Sequence, residues 1–384
     1  MRVRLTKPGF SSDDRAFMRV ALGLARRGLG RTAPNPAVGC VLVRPDLQNR
    51  VVGRGWTQPG GRPHAETEAL RQAGEAAKGT HAYVTLEPCS HTGKTGPCAD
   101  ALIAAGVSNV TIAAVDPDPR VDGGGIEKLQ KAGMDVRTGL LETDARALNA
   151  GFFSVKERGR PWVTLKTATT LDGAIATGTG VSKWITGEAA RRRGHLLRAQ
   201  NDAIVTGIGT VKADDPELTC RLEGLEAFSP VRVVVDPNGE LPVDGKLMAT
   251  ADAAPLWMIV ADGPEAVRAR LTHAPNAEVM ALPTGKDGHI APKAILEALA
   301  DVGVTRVLLE AGAGLTASFM SADMVDEIAW FRAPSTMGGD GLSALSAIGV
   351  SSPDAAPRFQ QTETLFLDGD VLERYLRVRD TKDE

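Results

Sequence analysis

Hydrophobic positions in the first part of the chain alternate between helical and strand spacing. Residues 12–27 open with Ser-Asp-Asp, which suits a helix N-cap, and continue with apolar side chains at helical spacing. Short apolar runs then separate further helical segments. The pattern predicts strands at 37–43, 81–88, 109–116 and 135–137, and helices at 64–74, 98–105 and 124–132. Strands that alternate with helices predict an α/β sandwich around a mostly parallel sheet.

A second series of elements begins at Trp162, after a polar segment that ends in Pro161. The alternation predicts strands at 162–169, 202–207, 232–236, 256–261, 277–282 and 306–312, and helices at 187–199, 292–302 and 314–322. Residues 326–334 and the last segment have the pattern of antiparallel edge strands. We therefore expect two α/β domains, at about 10–150 and 160–380, with a boundary in the segment 150–161.

Composition excludes several classes of protein. Hydrophobic residues make up 43% of the chain, and 44 basic and 47 acidic residues give a net charge of −3, so a broad nucleic-acid-binding face is not expected. No run of about 18 apolar residues is present, and the first residues lack the apolar segment of a signal peptide. We expect a cytoplasmic protein that acts on a small molecule. Whether it forms a homo-oligomer is left open.

The first chemical signal is the order His64-Ala-Glu66, Pro88-Cys89 and Cys98. Zinc favours tetrahedral sites of imidazole nitrogen and thiolate, and a catalytic zinc keeps three protein ligands. His64, Cys89 and Cys98 provide such a set, and Glu66 stands near the metal without needing to bind it. Zinc deaminases use this arrangement, with the glutamate as general acid and base. The sequence therefore predicts a catalytic zinc site.

Other interpretations of these residues remain open. The histidine and glutamate could be surface residues beside incidental cysteines, or the zinc could be structural, with His91 as a fourth ligand. Cys40 lies in an apolar strand and is expected in the core. Asn35, which precedes that strand, could contact a base edge or cap a turn.

Three segments make the chain resemble a known family. APNPAVGCVLV, GRPHAETEAL and YVTLEPCSHTGKTGPCADALIAAGV are similar to the deaminase half of bacterial bifunctional riboflavin-biosynthesis proteins. Eight residues separate Cys89 from Cys98, whereas cytidine, tRNA-adenosine and nucleic-acid cytosine deaminases usually have two. The resemblance implies a cytidine-deaminase-like three-layer domain that binds zinc and hydrolytically deaminates 2,5-diamino-6-(5-phosphoribosylamino)pyrimidin-4-one.

The second half offers a weaker glycine pattern, from Glu310 to Gly314, between a predicted strand and a predicted helix. Backbone N–H groups there could hold a phosphate, or the pattern could be a glycine-rich turn. LKTATTLDGAIA, GVSKWIT, LRAQNDAIVTGIGTVKADDPELTCR and VDEIAWFRAP resemble the reductase half of the same family. The resemblance implies a dihydrofolate-reductase-like domain that uses NADPH to reduce the ribosyl group to ribityl.

Residues carried over from that resemblance fall into two groups. The implied NADPH contacts are Ala168, Trp184, Thr210, Asp214, Gly312, Ala313, Gly314, Leu315, Thr316, Ala317 and Ser318. The implied substrate contacts are Ser182, Arg198, Leu218, Arg221 and Glu310. Arg198 and Arg221 suit a substrate phosphate, although Arg198 could instead be a solvated helix charge. Lys166 is expected to contact a ligand or an acidic partner, and Asp172 could be a turn residue or part of the site.

Two alternatives belong to other functional classes. One is a nucleoside or tRNA deaminase fused to an unrelated reductase, which the long cysteine loop and the weak basic character disfavour. The other is a non-catalytic nucleotide-binding protein, which the intact set of His64, Glu66, Cys89 and Cys98 disfavours. The sequence assigns no role to residues 334–352.

Overall fold

The computed structural model describes residues 9–91, 96–261, 263–271, 274, 276–286 and 288–379. These residues form two compact units that divide between Gly159 and Arg160. Among the described residues, no helix has the length and apolar character needed to cross a membrane.

The first unit contains a five-stranded sheet with helices on both faces. Its strands are β1 (Gly39–Arg44), β2 (Arg50–Trp56), β3 (His81–Leu86), β4 (Asn109–Ala114) and β5 (Asp135–Thr138). Its helices are α1 (Ser12–Ala25), α2 (Ala65–Ala73), α3 (Cys98–Ala104), α4 (Gly124–Lys131), α5 (Glu142–Leu148) and α6 (Ala150–Arg158). The strand order is β2-β1-β3-β4-β5. Strand β1 runs antiparallel to both neighbours, so the sheet is mixed, and the expectation of a mostly parallel sheet was wrong.

Glycines in β1 and β2 let two helices lie very close to the sheet. A Cβ added at Gly39 would lie 1.9 Å from the carbonyl oxygen of Ala21 in α1. A Cβ at Gly55 would lie 2.0 Å from the carbonyl oxygen of Ala65 in α2. Gly55 pairs with Cys40, the neighbour of Gly39, and successive residues of a strand face opposite sides. Helices α1 and α2 therefore cover opposite faces of the sheet.

The expectation that residues 150–161 form a polar linker was wrong for most of that segment. Residues Ala150–Arg158 form helix α6, in which Phe152 and Phe153 are buried in the core of the first unit. The polar residues that suggested a linker lie on the exposed side of this helix, which ends at Gly159 in the left-handed conformation. Only the last residues of the segment connect the two units.

The described residues of the second unit form a nine-stranded main sheet and a separate two-stranded sheet. Its strands are β6 (Trp162–Thr169), β7 (Ala174–Ala176), β8 (Ala203–Gly207), β9 (Val231–Val235), β10 (Leu256–Val260), β11 (Ala277–Ala281), β12 (Arg306–Leu309), β13 (Glu327–Arg332), β14 (Leu342–Ser343), β15 (Phe359–Leu367) and β16 (Asp370–Arg377). Its helices are α7 (Glu188–Ala199), α8 (Ile208–Asp214), α9 (Lys246–Ala249), α10 (Pro264–Arg270), α11 (Pro292–Asp301) and α12 (Ala313–Ser321). The main sheet has the order β11-β10-β9-β8-β12-β6-β13-β16-β15, and β7 pairs separately with β14.

The prediction that residues 326–334 form an edge strand was wrong. Strand β13 lies inside the sheet, parallel to β6 on one side and antiparallel to β16 on the other. Its residues Ile328, Ala329 and Phe331 are buried, as expected for a strand covered on both faces. The terminal hairpin of β15 and β16 is antiparallel as predicted, with β15 at the edge.

Helix α2 cannot keep its present position if Gly55 gains a side chain. We expect Gly55→Ala to lower the free energy of unfolding of the first unit by roughly 1–3 kcal/mol, because the added methyl group meets backbone that cannot rotate away. Gly23→Ala is the matched control, since Gly23 lies in α1 with no atom within 4 Å of its added Cβ. That change is expected to be neutral or stabilising. Urea unfolding, with hydrogen exchange of peptides from residues 39–73, measures both. Equal stability of the two variants would contradict the packing described here.

Candidate active sites

Three metal-binding side chains converge in the first unit from three different elements. His64 is the N-cap residue of α2, Cys89 follows β3, and Cys98 is the first residue of α3. The His64 Nδ1 atom lies 3.2 Å from the Cys98 Sγ atom and 3.7 Å from the Cys89 Sγ atom. The three ligand atoms all lie within 4.8 Å of one another. The predicted ligands are therefore brought together.

The protonation of these groups reflects their close packing. The hydrogen bond from Cys98 lowers the pKa of Cys89 to about 4, and the same contact raises the pKa of Cys98. Glu66 stands in the first turn of α2 with 3% of its surface exposed, and its burial raises its pKa to about 7. A carboxyl group whose pKa lies near 7 is suited to exchange a proton with a substrate at neutral pH.

The donor set fits zinc. One imidazole nitrogen and two sulfur atoms are the ligands that zinc prefers, and a fourth position would be left for water or substrate. His91 lies on the wall of the same pocket, but it is not one of the three residues whose donor atoms cluster. Cys40 is fully buried in β1, as expected for a core residue. A structural site with His91 as fourth ligand is therefore not what the described residues form.

A pocket opens beside the ligand cluster and is lined by two of its members, His64 and Cys89. It is lined by Asn35, Pro36, Val38, Thr57, Arg62, His64, Glu66, Leu86, Glu87, Cys89, His91, Asp116, Asp118, Arg120, Val121 and Phe152. Asn35 faces this pocket, and its side chain packs against Gly61, where an added Cβ would lie 2.0 Å from the Asn35 Nδ2 atom. The side chain thus contributes to the pocket wall.

Sequence reasoning missed the acidic and basic residues on the far wall of this pocket. Burial raises the pKa of Asp116 to about 6, and Asp116 Oδ1 accepts a hydrogen bond from the Asp118 backbone N–H at 2.9 Å. Asp118 pairs with Arg120 at 2.6 Å and with Lys156 at 2.9 Å. The sequence Asp-Pro-Asp-Pro-Arg after a predicted strand was the signal that could have marked them. These groups give the pocket a polar, charged side.

In the second unit, the predicted substrate residues Arg198 and Glu310 form a bidentate ion pair. The Arg198 Nε and Nη2 atoms lie 2.8 Å and 2.9 Å from the Glu310 carboxylate oxygens, and Arg198 Nη1 donates to the Thr219 carbonyl oxygen at 3.0 Å. Lys166 completes the cluster, with its Nζ atom 3.5 Å from Glu310. Burial opposes ionisation of Glu310, but Arg198 and Lys166 outweigh it and hold its pKa at about 2. Arg198 is therefore not a solvated helix charge, and Lys166 has its acidic partner.

Two further pairs of predicted residues are in contact. The Thr210 hydroxyl accepts a hydrogen bond from the Gly312 backbone N–H at 3.0 Å, which joins the starts of α8 and α12. The Ser182 hydroxyl donates to Asp214 at 3.3 Å. Trp184 is 69% exposed, with the Arg191 guanidinium 4.6 Å from its ring. Thr210 and Asp214 are four residues apart in α8, so the first two contacts lie on the same side of that helix.

The remaining predicted residues have different exposures. Ala168 is half-buried near the end of β6, and Leu218 is buried with a φ of 59°. Arg221 is exposed and pairs with Glu217 at 3.2 Å. Within Gly312–Ser318, Thr316 and Ala317 are buried, whereas Gly314 is exposed with open space around it. Thr316 and Ala317 are therefore the least accessible residues of that run.

Asp172 has a role that the sequence left open. Its carboxylate accepts hydrogen bonds from the Thr170 hydroxyl at 2.5 Å and from the backbone N–H groups of Met337 and Gly338 at 3.0 Å and 2.6 Å. The Thr170 hydrogen bond lowers the pKa of Asp172. Asp172 thus ties the turn after β6 to the segment 334–352, whose strand β14 pairs with β7.

Two family models match the chain, one in each half. The model for the cytidine and deoxycytidylate deaminase zinc-binding region matches residues 11–114, and the model for the RibD C-terminal domain matches residues 161–372. These matches confirm a cytidine-deaminase-like first half and a dihydrofolate-reductase-like second half. They indicate zinc in the first and a nicotinamide cofactor in the second.

Relatives align over almost the whole chain. The riboflavin biosynthesis protein RibD of Aquifex aeolicus is 40% identical over 94% of this chain and 97% of its own length, and that of Escherichia coli K12 is 39% identical over 94% and 98%. Among solved structures, Acinetobacter baumannii RibD has a TM-score of 0.84 at 36% identity, covering 95% of this chain and 99% of that one.

A second similar solved structure is of a protein named for both activities. The Thermotoga maritima diaminohydroxyphosphoribosylaminopyrimidine deaminase/5-amino-6-(5-phosphoribosylamino)uracil reductase has a TM-score of 0.82 at 33% identity, covering 95% of this chain and 99% of that one. The sequence identity over almost the whole chain, the shared fold and the cluster of His64, Cys89 and Cys98 all agree with the family resemblance stated from the sequence. The chain therefore belongs to the RibD family of riboflavin biosynthesis proteins and is a bifunctional deaminase and reductase.

Proposed function

We propose that the first unit deaminates 2,5-diamino-6-(5-phosphoribosylamino)pyrimidin-4-one and that the second reduces the ribosyl group of the product to ribityl with NADPH. The observation that carries the first half is the cluster of His64, Cys89 and Cys98 beside the buried carboxyl of Glu66. A small nucleotide suits a chain of net charge −3 better than a nucleic acid does.

The division of work in the deaminase site follows from the side chains. His64, Cys89 and Cys98 would hold zinc, which when bound supplies the charge that activates water for attack. Glu66 would take a proton from the attacking water and deliver it to the departing amino group, because its buried carboxyl lies in the pocket next to the proposed ligands and binds no metal itself. Asn35, on the pocket wall, has both donor and acceptor atoms for the edge of a pyrimidine.

The proposed cofactor site lies at the carboxyl ends of β8 and β12, which are neighbours in the sheet. Helices α8 and α12 begin there, after Gly207 and Gly312, and neither has a side-chain cap. Their first backbone N–H groups can therefore hold phosphate, and such crevices bind dinucleotides in other α/β folds. NADPH would supply the hydride. Thr210 fixes the start of α12, while Ala168, Trp184, Asp214 and residues 313–318 are proposed to line the site.

The proposed substrate site contains Ser182, Arg198, Leu218, Arg221 and Glu310. Its contacts refine their roles, since Arg198 uses Nε and Nη2 on Glu310 and Nη1 on Thr219. Arg198 acts in this proposal by fixing the Glu310 carboxylate. Arg221 is exposed and pairs with Glu217 through Nη1, and its other nitrogen atoms are proposed to meet the substrate phosphate. Lys166, whose Nζ atom lies 3.5 Å from Glu310, is proposed to offer a proton or a hydrogen bond to the opened sugar.

A product analysis tests both halves together. Zinc-loaded protein is incubated with the diaminopyrimidine nucleotide, and ammonia and pyrimidine products are measured with NADPH, with NADH and without either. We expect ammonia and the ribosylamino-uracil phosphate without cofactor, and the ribityl product with NADPH. Faster turnover with NADH would contradict the choice of cofactor. Deamination of RNA in place of the free nucleotide would favour the alternative of a tRNA deaminase.

Changes at Glu66 and Cys89 separate proton transfer from metal binding. We expect Glu66→Gln to keep its zinc and to lose deamination by about 10²–10⁴-fold, because a general acid–base group is removed without touching a ligand. Cys89→Ser and Cys98→Ser are expected to lower zinc content and deamination together, because a neutral hydroxyl is a poor zinc ligand. Metal analysis and the ammonia assay measure both effects, and reduction of pre-deaminated substrate is the control. Zinc loss in Glu66→Gln, or full zinc in both serine variants, would refute the assignment.

The proposed domains, about 10–150 and 160–380, are expected to work independently. A fragment that begins at Gly159 keeps Arg160, whose guanidinium pairs with Asp326 at 2.7 Å inside the second unit. We expect it to fold, bind NADPH and reduce deaminated substrate in the presence of a zinc chelator. Circular dichroism and NADPH oxidation at 340 nm (the wavelength at which NADPH absorbs) measure this. A folded fragment without NADPH binding would show that the cofactor site needs the first unit.

A further inference from the structure

Glu87 is a buried carboxylate with an unusual set of partners. Its surface is 3% exposed. Its Oε1 atom accepts hydrogen bonds from the backbone N–H groups of Gly125 at 2.9 Å and Ile126 at 3.1 Å. Its Oε2 atom accepts from Gly123 at 3.1 Å and Asp116 at 3.3 Å. Among the described residues, these four partners are all backbone donors. The charge is thus stabilised by peptide groups and not by a cation.

Three of the four donors belong to the beginning of a helix. Gly123 is the N-cap of α4, with a φ of 84° and no side-chain cap, and Gly125 and Ile126 lie in the first turn. The first N–H groups of a helix have no partner within the helix and carry partial positive charge. Glu87 provides the missing acceptors from a neighbouring strand, and the helix in return offsets the cost of burying the carboxylate.

The start of α4 also packs closely against the backbone of Pro88, the residue before the proposed metal ligand Cys89. A Cβ added at Gly125 would lie 2.0 Å from the Pro88 carbonyl oxygen. Cys89 follows at once, and its Sγ atom accepts a hydrogen bond from the Cys98 backbone N–H at 3.3 Å. The Cys89 segment is therefore held at its sulfur by α3 and at its preceding backbone by α4, the second contact being fixed by Glu87.

We propose that Glu87 is a positioning residue for Cys89, which it holds at metal-binding distance by docking the end of β3 onto the N-terminus of α4. This inference rests on the proposed zinc deaminase function. Zinc ligands need to be held within a few tenths of an ångström, and groups that orient them matter almost as much as the ligands themselves. Residues 92–95 of the loop to Cys98 lie outside the described residues.

The substitution that tests this is Glu87→Gln. A glutamine amide has one acceptor oxygen in place of two. Its NH2 group would face two of the backbone N–H donors that now bind Glu87, so those hydrogen bonds would be lost. We expect zinc affinity, measured by competition with a chromogenic chelator, to fall about 10–100-fold. In the Co²⁺-substituted protein the thiolate-to-cobalt absorption should shift or weaken. The deaminase kcat should fall while KM changes little, and reduction of pre-deaminated substrate should be unchanged.

Asp14→Asn is the matched control for loss of a buried carboxylate in the same unit. Asp14 is 8% exposed and accepts hydrogen bonds from Ser11 N–H at 2.9 Å and from the Tyr83 hydroxyl at 2.7 Å. It contacts none of the three metal ligands in the described hydrogen bonds. We expect this variant to lose thermal stability but to keep the parental zinc affinity and cobalt spectrum, whereas Glu87→Gln changes both.

A second variant covers the case in which Glu87→Gln does not fold. Gly125→Ala leaves the carboxylate in place but pushes on the Pro88 carbonyl oxygen from α4, so it should weaken zinc binding in the same direction. Parental zinc affinity and cobalt spectrum in folded Glu87→Gln, or in Gly125→Ala when the first variant does not fold, would overturn the proposal. Failure of the unaltered chain to bind zinc or release ammonia would instead overturn the proposed function.

Discussion

The deaminase site depends on how closely helix α2 lies on the sheet. Gly53 and Gly55 face the helix from β2, and an added Cβ at either position would lie 2.3 Å or 2.0 Å from a carbonyl oxygen of α2. With glycine in the strand and alanine in the helix, backbone approaches backbone directly. The first turn of α2 is thereby pressed into the core, which is why Glu66 is buried and its pKa is raised. The same approach places His64, at the start of that helix, opposite the two thiols.

Each unit buries a carboxylate, and the two units do so in different ways. Glu87 is surrounded by peptide N–H groups, whose charge is partial and fixed in direction. Glu310 is paired with the full charges of Arg198 and Lys166, which hold its pKa at about 2 against the effect of burial. Because that pKa is lowered, the stability that Glu310 contributes is present above its ordinary value of 4.5 and is lost as the pH falls through 2. At neutral pH the carboxylate is therefore ionised, and it is more useful for holding cations and polar substrate groups than for donating a proton.

The sequence was most informative where a residue type has few uses. Histidine, glutamate and two cysteines in a fixed order predicted a metal site, because few other environments need all four residue types. The structure brings the three predicted ligands together. The sequence did not predict hydrogen-bond and ion-pair partners that come from elements far apart in the chain. Arg198 was expected at a phosphate, but Glu310, which lies 112 positions away in the chain, takes two of its donors. The sequence assigned no role to Glu87, whose partners Gly125 and Ile126 lie 38 and 39 positions away in the chain. Strand β13 was placed at an edge because strand order is set by long-range packing, which the sequence does not show.

Helix starts connect these observations. Helix α1, with no role in either site, carries a complete capping box between Ser11 and Asp14. The N-cap positions of α2, α8 and α12 are His64, Gly207 and Gly312, and none of them makes a side-chain cap. A missing cap costs a helix about 0.5–2 kcal/mol. A missing side-chain cap does not by itself mark a site, because helices α5 and α11, which contribute to neither site, also lack one. What distinguishes the deaminase site is the acceptor that meets the first N–H groups. The Cys89 sulfur accepts from the Cys98 N–H at the start of α3, and Glu87 accepts from Gly125 at the start of α4. Helix starts thus help to fix the metal ligands through contacts with side chains from the end of β3 and the loop that follows it.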